Sequence, residues 1–171
     1  RIQLDSELGK GSKFWFDLVL EVSTNEITGV AGETVLSEDE YNSLENRQVL
    51  VVEDNKINQM ITRKILEKRK IVCQVADNGM DAIKMVQEND FDVVLMDIHM
   101  PGISGIEATQ EIRKFNPELP IIALTAVTID ENLDEFYRVG FNEIIPKPFK
   151  TEEFFEKIHR TLEQSIASKE T

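Results

Sequence analysis

VVLMDIHMPG, residues 93–102, runs four apolar residues straight into Asp97 and then turns at once through Met100, Pro101 and Gly102. An unbroken apolar run of this length is the mark of a strand buried on both faces, as in a parallel sheet. The acid at its end is either a solvated group before a turn or a carboxylate that a rigid sheet holds at its rim. The neighbouring sequence bears on which.

Working outward, VLVVE, IVCQVAD, PIIALTA and NEIIPK are short runs of the same kind, rich in β-branched residues. Segments with helical spacing alternate with them. Ile57, Met60, Ile61 and Ile65 share one helix face, Ala82, Ile83 and Val86 another, and Phe154, Phe155, Ile158, Leu162 and Ile166 a third. Gly79, Gly105 and Gly140 punctuate the junctions, while Pro101, Pro120, Pro146 and Pro148 flank strands or turns. Five strand–helix repeats in about 120 residues from Arg47 onward predict an α/β domain, a parallel sheet covered on both faces.

The first part of the chain reads differently. RIQLDSE and KFWFDLVLEV, around the glycines of LGKGS, predict a β-hairpin appendage over 1–22. Residues 23–46 lack periodicity and read as a flexible acidic linker, and 167–171 as a polar tail. Residues 1–46 carry 3 basic and 10 acidic side chains, which fits an extended, solvated segment.

A net charge of −13 disfavours nucleic acid and anionic membrane surfaces as partners, since both are negative themselves. Cys73 is the only cysteine, so an intrachain disulfide is excluded and a reducing cytoplasm is expected. Within IVCQV it reads as a buried structural thiol. No apolar run approaches the ~18 residues that cross a bilayer.

In an open parallel sheet, ligands bind beyond the carboxyl ends of the strands. The strands described above deliver Glu53 and Asp54, Asp97, Thr125 and Lys147 to those ends. Each alone has an ordinary reading: a helix-capping acid, a solvated acid, a strand threonine, a surface lysine. Three carboxylates gathered on one rim, however, repel one another unless a cation intervenes. A hard divalent ion with oxygen ligands, Mg²⁺ above all, answers that need. Phosphoryl transfer to a carboxylate follows, because an aspartate is a competent nucleophile and the transferred group needs charge neutralisation more than a base.

At this point VLVVEDN, VVLMDIHMPG, ALTA and PKPF, in this order and spacing, resemble the receiver domain of two-component response regulators. The resemblance covers about residues 47–166 and implies a doubly wound five-stranded parallel sheet of strand order 2-1-3-4-5, and transfer of a phosphoryl group from phosphohistidine to Asp97. It implies Mg²⁺ (with Mn²⁺ as a substitute) held by Asp54, Asp97 and the backbone carbonyl of His99, with Glu53 acting largely through water. Thr125 and Lys147 then sense the phosphoryl group, and the Lys147–Pro148 bond is cis. Ile144 stands where many receivers carry an aromatic switch residue.

SELGKGSKFWFDLVL is similar to the closing strands of a histidine-kinase ATP-binding domain, which implies the C-terminal piece of a hybrid histidine kinase. No kinase catalytic core accompanies it, so the chain itself is not expected to be an enzyme. Expected partners are a histidine-kinase phosphodonor domain and a histidine phosphotransfer protein. Output is by contact, with a homodimer through the hairpin or through the face of the domain's fourth helix, fifth strand and fifth helix. A stand-alone single-domain regulator and a non-catalytic interaction module are the alternatives. A haloacid-dehalogenase-like phosphatase would need an acid two places after its nucleophile, where His99 stands.

Overall fold

The computed structural model describes residues 3–7, 9–15, 36–126 and 133–169. The chain divides into two compact units, Arg1–Gly32 and Glu33–Thr171. In the first, β1 (Gln3–Glu7) pairs antiparallel with β2 (Gly11–Trp15), from Gln3 opposite Trp15 to Glu7 opposite Gly11. Gly9 and Gly11 have φ of 82° and 102°, a left-handed turn that a side chain would strain. Every residue of β1 is exposed.

The second unit is built on five short strands. They are β3 (Gln48–Val52), β4 (Val72–Ala76), β5 (Val93–Asp97), β6 (Ile121–Thr125) and β7 (Glu143–Pro146), all parallel, in the order β4-β3-β5-β6-β7. Renumbered from the first strand of this sheet, that is the 2-1-3-4-5 order. Successive strand residues alternate between two cores, as the two-residue period of a strand demands. Val49, Val51, Val93, Leu95, Ile122, Leu124 and Ile145 face one side. There α2 (Lys56–Glu67) contributes Leu66, and α6 (Thr151–Lys169) contributes Phe154, Phe155, Ile158 and Leu162. Leu50, Val52, Val94, Met96, Ile121, Ala123 and Ile144 face the other, under α3 (Gly79–Glu88), α4 (Gly105–Phe115) and α5 (Leu133–Val139). Ile144 is thus a core residue, 2% exposed.

Three expectations need correction. The linker reading fails over Glu38–Ser43, which form the helix α1, started by a capping box between Ser37 and Glu40. Tyr41 and Leu44 are buried in the core. The Tyr41 ring meets Phe155 edge-on at 5.6 Å, and the Arg69 guanidinium lies 3.6 Å from its centroid. Residues 23–35 of the expected linker lie outside the described residues. Second, α6 runs to Lys169, so 167–169 are helix rather than tail. Third, most of the apolar stripe of α2 points outward: Ile57, Met60 and Ile61 are 63%, 50% and 50% exposed, while Ile65 packs partly buried against the core and Gln59, Thr62 and Leu66 are buried. The period identifies the helix but not which of its faces is buried.

Candidate functional site

The rim is assembled from strand ends. Glu53 and Asp54 follow β3, Asp97 closes β5, Thr125 closes β6, and Lys147 follows β7. All five residues singled out in the sequence arrive at this one edge. The strands hold them there through cross-strand bonds: the Lys147 N–H donates to the Thr125 carbonyl at 2.7 Å, and the Ile98 N–H to the Leu124 carbonyl at 3.2 Å. The Glu53 N–H donates to the Ala76 carbonyl at 3.1 Å.

Carboxylate oxygens of Glu53, Asp54 and Asp97 all lie within 4.8 Å of one another. Glu53 is 2% exposed and Asp97 7%, whereas Asp54 is open to solvent. Lys147 Nζ donates to Glu53 Oε2 at 2.6 Å and to Asp97 Oδ2 at 2.8 Å, bridging the two buried acids. Burial pulls the Lys147 ammonium down, but the hydrogen bonds and charges of Asp97 and Glu53 outweigh that and hold its pKa above the usual lysine value. The other Asp97 oxygen, Oδ1, accepts the His99 N–H at 3.0 Å, which sets the backbone of residue 99 beside the carboxylate. The Lys147–Pro148 peptide is cis.

The turn through Met100, Pro101 and Gly102 brings the following helix against the end of β5. Gly102 has φ of 81°, so the chain reverses through a left-handed residue. It then enters α4 at Gly105, where a Cβ would come within 2.0 Å of the Asp97 carbonyl oxygen. The start of α4 can press against the strand end only because residue 105 has no side chain. The Gly105 N–H donates to the Ile98 carbonyl at 3.1 Å, closing the loop.

The donor set is entirely hard oxygen, two of its three acids sit in low-exposure surroundings, and one lysine offsets part of their charge. It fits a small divalent cation. Sequence reasoning missed the carboxamides that hold this set in place. Asn58 Nδ2 donates to Glu53 Oε1 at 3.1 Å. Gln59 donates to the Glu53 carbonyl and, at 2.8 Å, to Asp77 Oδ1. Hydrogen bonds from Lys56 and Gln59 in turn keep the Asp77 carboxyl below the ordinary carboxylate range. The signal was the polar run DNKINQ at a helix start, but nothing in a linear sequence says which way an amide turns.

Comparison with known proteins gives a consistent picture. The model of the response regulator receiver domain matches residues 49–159. Hybrid signal transduction histidine kinase K of Dictyostelium discoideum is 31% identical over 166 residues, covering 90% of this chain and 13% of that protein. The chemotaxis protein CheY of Halobacterium salinarum is 38% identical over 104 residues, covering 61% of this chain and 87% of that one. Among solved structures, the receiver domain of sensor histidine kinase PA1611 from Pseudomonas aeruginosa PAO1, described with magnesium coordinated in its active-site cleft, superposes with a TM-score of 0.64. That match is 30% identical and covers 69% of this chain and 98% of that one. The chain spans 13% to 19% of the length of the longer curated relatives it matches first.

Proposed function

The chain belongs to the response regulator receiver family of two-component signalling, and from that premise we propose that Asp97 is its phosphoacceptor. The observation that carries the reading is the bridge of Lys147 between Glu53 and Asp97 on an acidic, oxygen-only rim. In the transfer, an Asp97 carboxylate oxygen bonds to phosphorus as the P–N bond to a donor imidazole breaks. The electron pair of that bond returns to the imidazole nitrogen. Asp54, Asp97, the His99 carbonyl and, through water, Glu53 would hold Mg²⁺, which supplies charge neutralisation for the phosphoryl oxygens when bound. Lys147 supplies a second positive charge from the opposite side, and the Thr125 hydroxyl a hydrogen bond to a phosphoryl oxygen.

The donor and recipient are proteins that present a phosphohistidine or its acceptor histidine. Ile57, Met60 and Ile61 leave an exposed apolar strip on α2. It borders a groove of about 410 Å³ lined by Ile61, Ile65, Pro148 and Phe149 and reaching Glu53 and Lys147. An apolar face beside a reactive rim suits a helical partner that must bring its histidine to Asp97.

Kinase origin is supported by reach. The kinase match covers 90% of the chain, which requires residues upstream of 36, whereas the CheY match covers 61%. We read β1 and β2 as the last strands of a kinase ATP-binding domain and the parent protein as a hybrid histidine kinase. Output then passes by contact through the face of α5, β7 and α6, where Tyr137 is 49% exposed.

Intact-mass spectrometry after incubation with Mg²⁺ and acetyl phosphate tests the acceptor. The expected result is one added phosphoryl group on the parent chain, none on Asp97→Ala, and none when EDTA is present from the start. An adduct that persists in Asp97→Ala would overturn the assignment.

A further inference from the structure

Both carboxylate oxygens of Glu53 are already engaged. Oε2 accepts from Lys147 Nζ at 2.6 Å, while Oε1 accepts from the Asn55 N–H at 3.2 Å and from Asn58 Nδ2 at 3.1 Å. These donors meet a carboxylate that is nearly sealed from solvent. The next residue, Gln59, is buried and holds the main-chain carbonyl of the same Glu53. Two consecutive carboxamides at the start of α2 therefore grip one acid, at its side chain and at its backbone.

Asn58 is not needed to build the helix. The N-cap is Asn55, whose side chain already accepts from the Ile57 and Asn58 N–H groups, and the Asn58 side chain adds nothing to the core. It lines the groove that contains Glu53, Lys147 and Pro148. Its amide does one thing that the helix does not require: with the Asn55 N–H it holds Glu53 Oε1 and so limits the rotation of that carboxylate.

We propose that Asn58 is a positioning residue for Lys147, acting through Glu53: by holding Oε1 it keeps Oε2 turned to the ammonium, and so keeps the ammonium between Glu53 and Asp97. The proposal rests on the reading of Asp97 as phosphoacceptor. It has a consequence with two signs. Released from Asn58 and held at Oε1 by the Asn55 N–H alone, the Glu53 carboxylate turns more freely toward Asp54 and Asp97, adding negative charge where a cation binds. Lys147 at the same time loses its fixed anchor and pairs more loosely beside the acceptor. Cation binding tightens, and phosphoryl transfer slows.

The test uses the full chain carrying Asn58→Leu, which removes the donor and keeps the branched outline of the side chain, with a urea unfolding midpoint as the check on folding. Titration calorimetry with Mg²⁺ alone, without any phosphodonor, is expected to show tighter binding in Asn58→Leu than in the parent. At saturating Mg²⁺, the maximal rate of phosphorylation by acetyl phosphate is expected to fall about fivefold, the scale of one ordinary hydrogen bond lost at a site that keeps its other donors. In a Lys147→Met background the same substitution should leave the rate unchanged, since its effect passes through Lys147. Unaltered Mg²⁺ binding and rate in Asn58→Leu, or losses of both in parallel, would overturn the proposal. If the parent chain takes no phosphoryl group at all, the acceptor reading and the transfer half of this proposal fall together. The Mg²⁺ comparison still decides whether Asn58 restrains Glu53.

Discussion

At the scale of single residues, the rim was legible because its chemistry is carried by residue types. Asp97 after VVLM, Glu53–Asp54 after VLVV and Lys147 before Pro148 can be placed at strand ends by counting, and the structure brings them together. Asn58 and Gln59 were not legible, since an amide at a helix start is ordinarily a solvated group and only the packing angle of α2 aims it at Glu53. Cys73, read from its apolar neighbours as buried, is only half-buried in the structure. Burial raises its thiol pKa from 9.0 to about 11, against a smaller opposing pull from Arg63. The folded chain thus favours the neutral thiol. The resulting stabilisation is complete below the ordinary cysteine value and is lost as pH climbs through the folded one. Iodoacetamide at pH 8 should therefore alkylate the folded protein about 100-fold more slowly than the urea-unfolded chain, by thiolate fraction alone. Equal rates in the two states would contradict the burial of this thiol.

At the scale of elements, period identified the helices but not always their orientation. α2 has the expected apolar repeat, yet it turns Gln59, Thr62 and Leu66 inward and leaves Ile57, Met60 and Ile61 to solvent. The buried carboxamide is accommodated because its hydrogen bonds are satisfied at Glu53 and Asp77, so the desolvation cost of a polar group is largely offset. α1 was unreadable for a different reason. Six residues with a single buried side chain carry too little pattern, and so short a helix exists only through the surface it packs on. That surface is supplied by Phe155 and Arg69, far away in sequence. Tyr41→Ala should cost about 2–4 kcal/mol, as for other large-to-small core substitutions. Urea unfolding followed by circular dichroism is the check. A midpoint unchanged from the parent would mean that α1 only rests on the domain. Among the described residues, no helix is long and apolar enough to cross a membrane.

At the scale of the whole molecule, the alternation of strand and helix signals was enough to specify an α/β sheet covered on both sides. Strand order came from the resemblance, because apolar runs such as VLVV and VVLM do not encode which neighbour each will take. The N-terminal limit of the second unit moved from Arg47 into the segment read as linker, since Leu36, Tyr41 and Leu44 belong to its core. The knitting of the rim has a further consequence, best stated in time rather than distance. The amides of Glu53, Ile98 and Lys147 are each bonded to a carbonyl of a neighbouring strand, so none can meet solvent until strands part. In heavy water these three should keep their protons as long as Val51 and Leu95 in the middle of the sheet, which residue-resolved exchange by NMR can measure. Early exchange at the rim would reveal a site that opens by itself. Late exchange would mean that the constellation lasts as long as the native state, and is rebuilt only when the protein refolds.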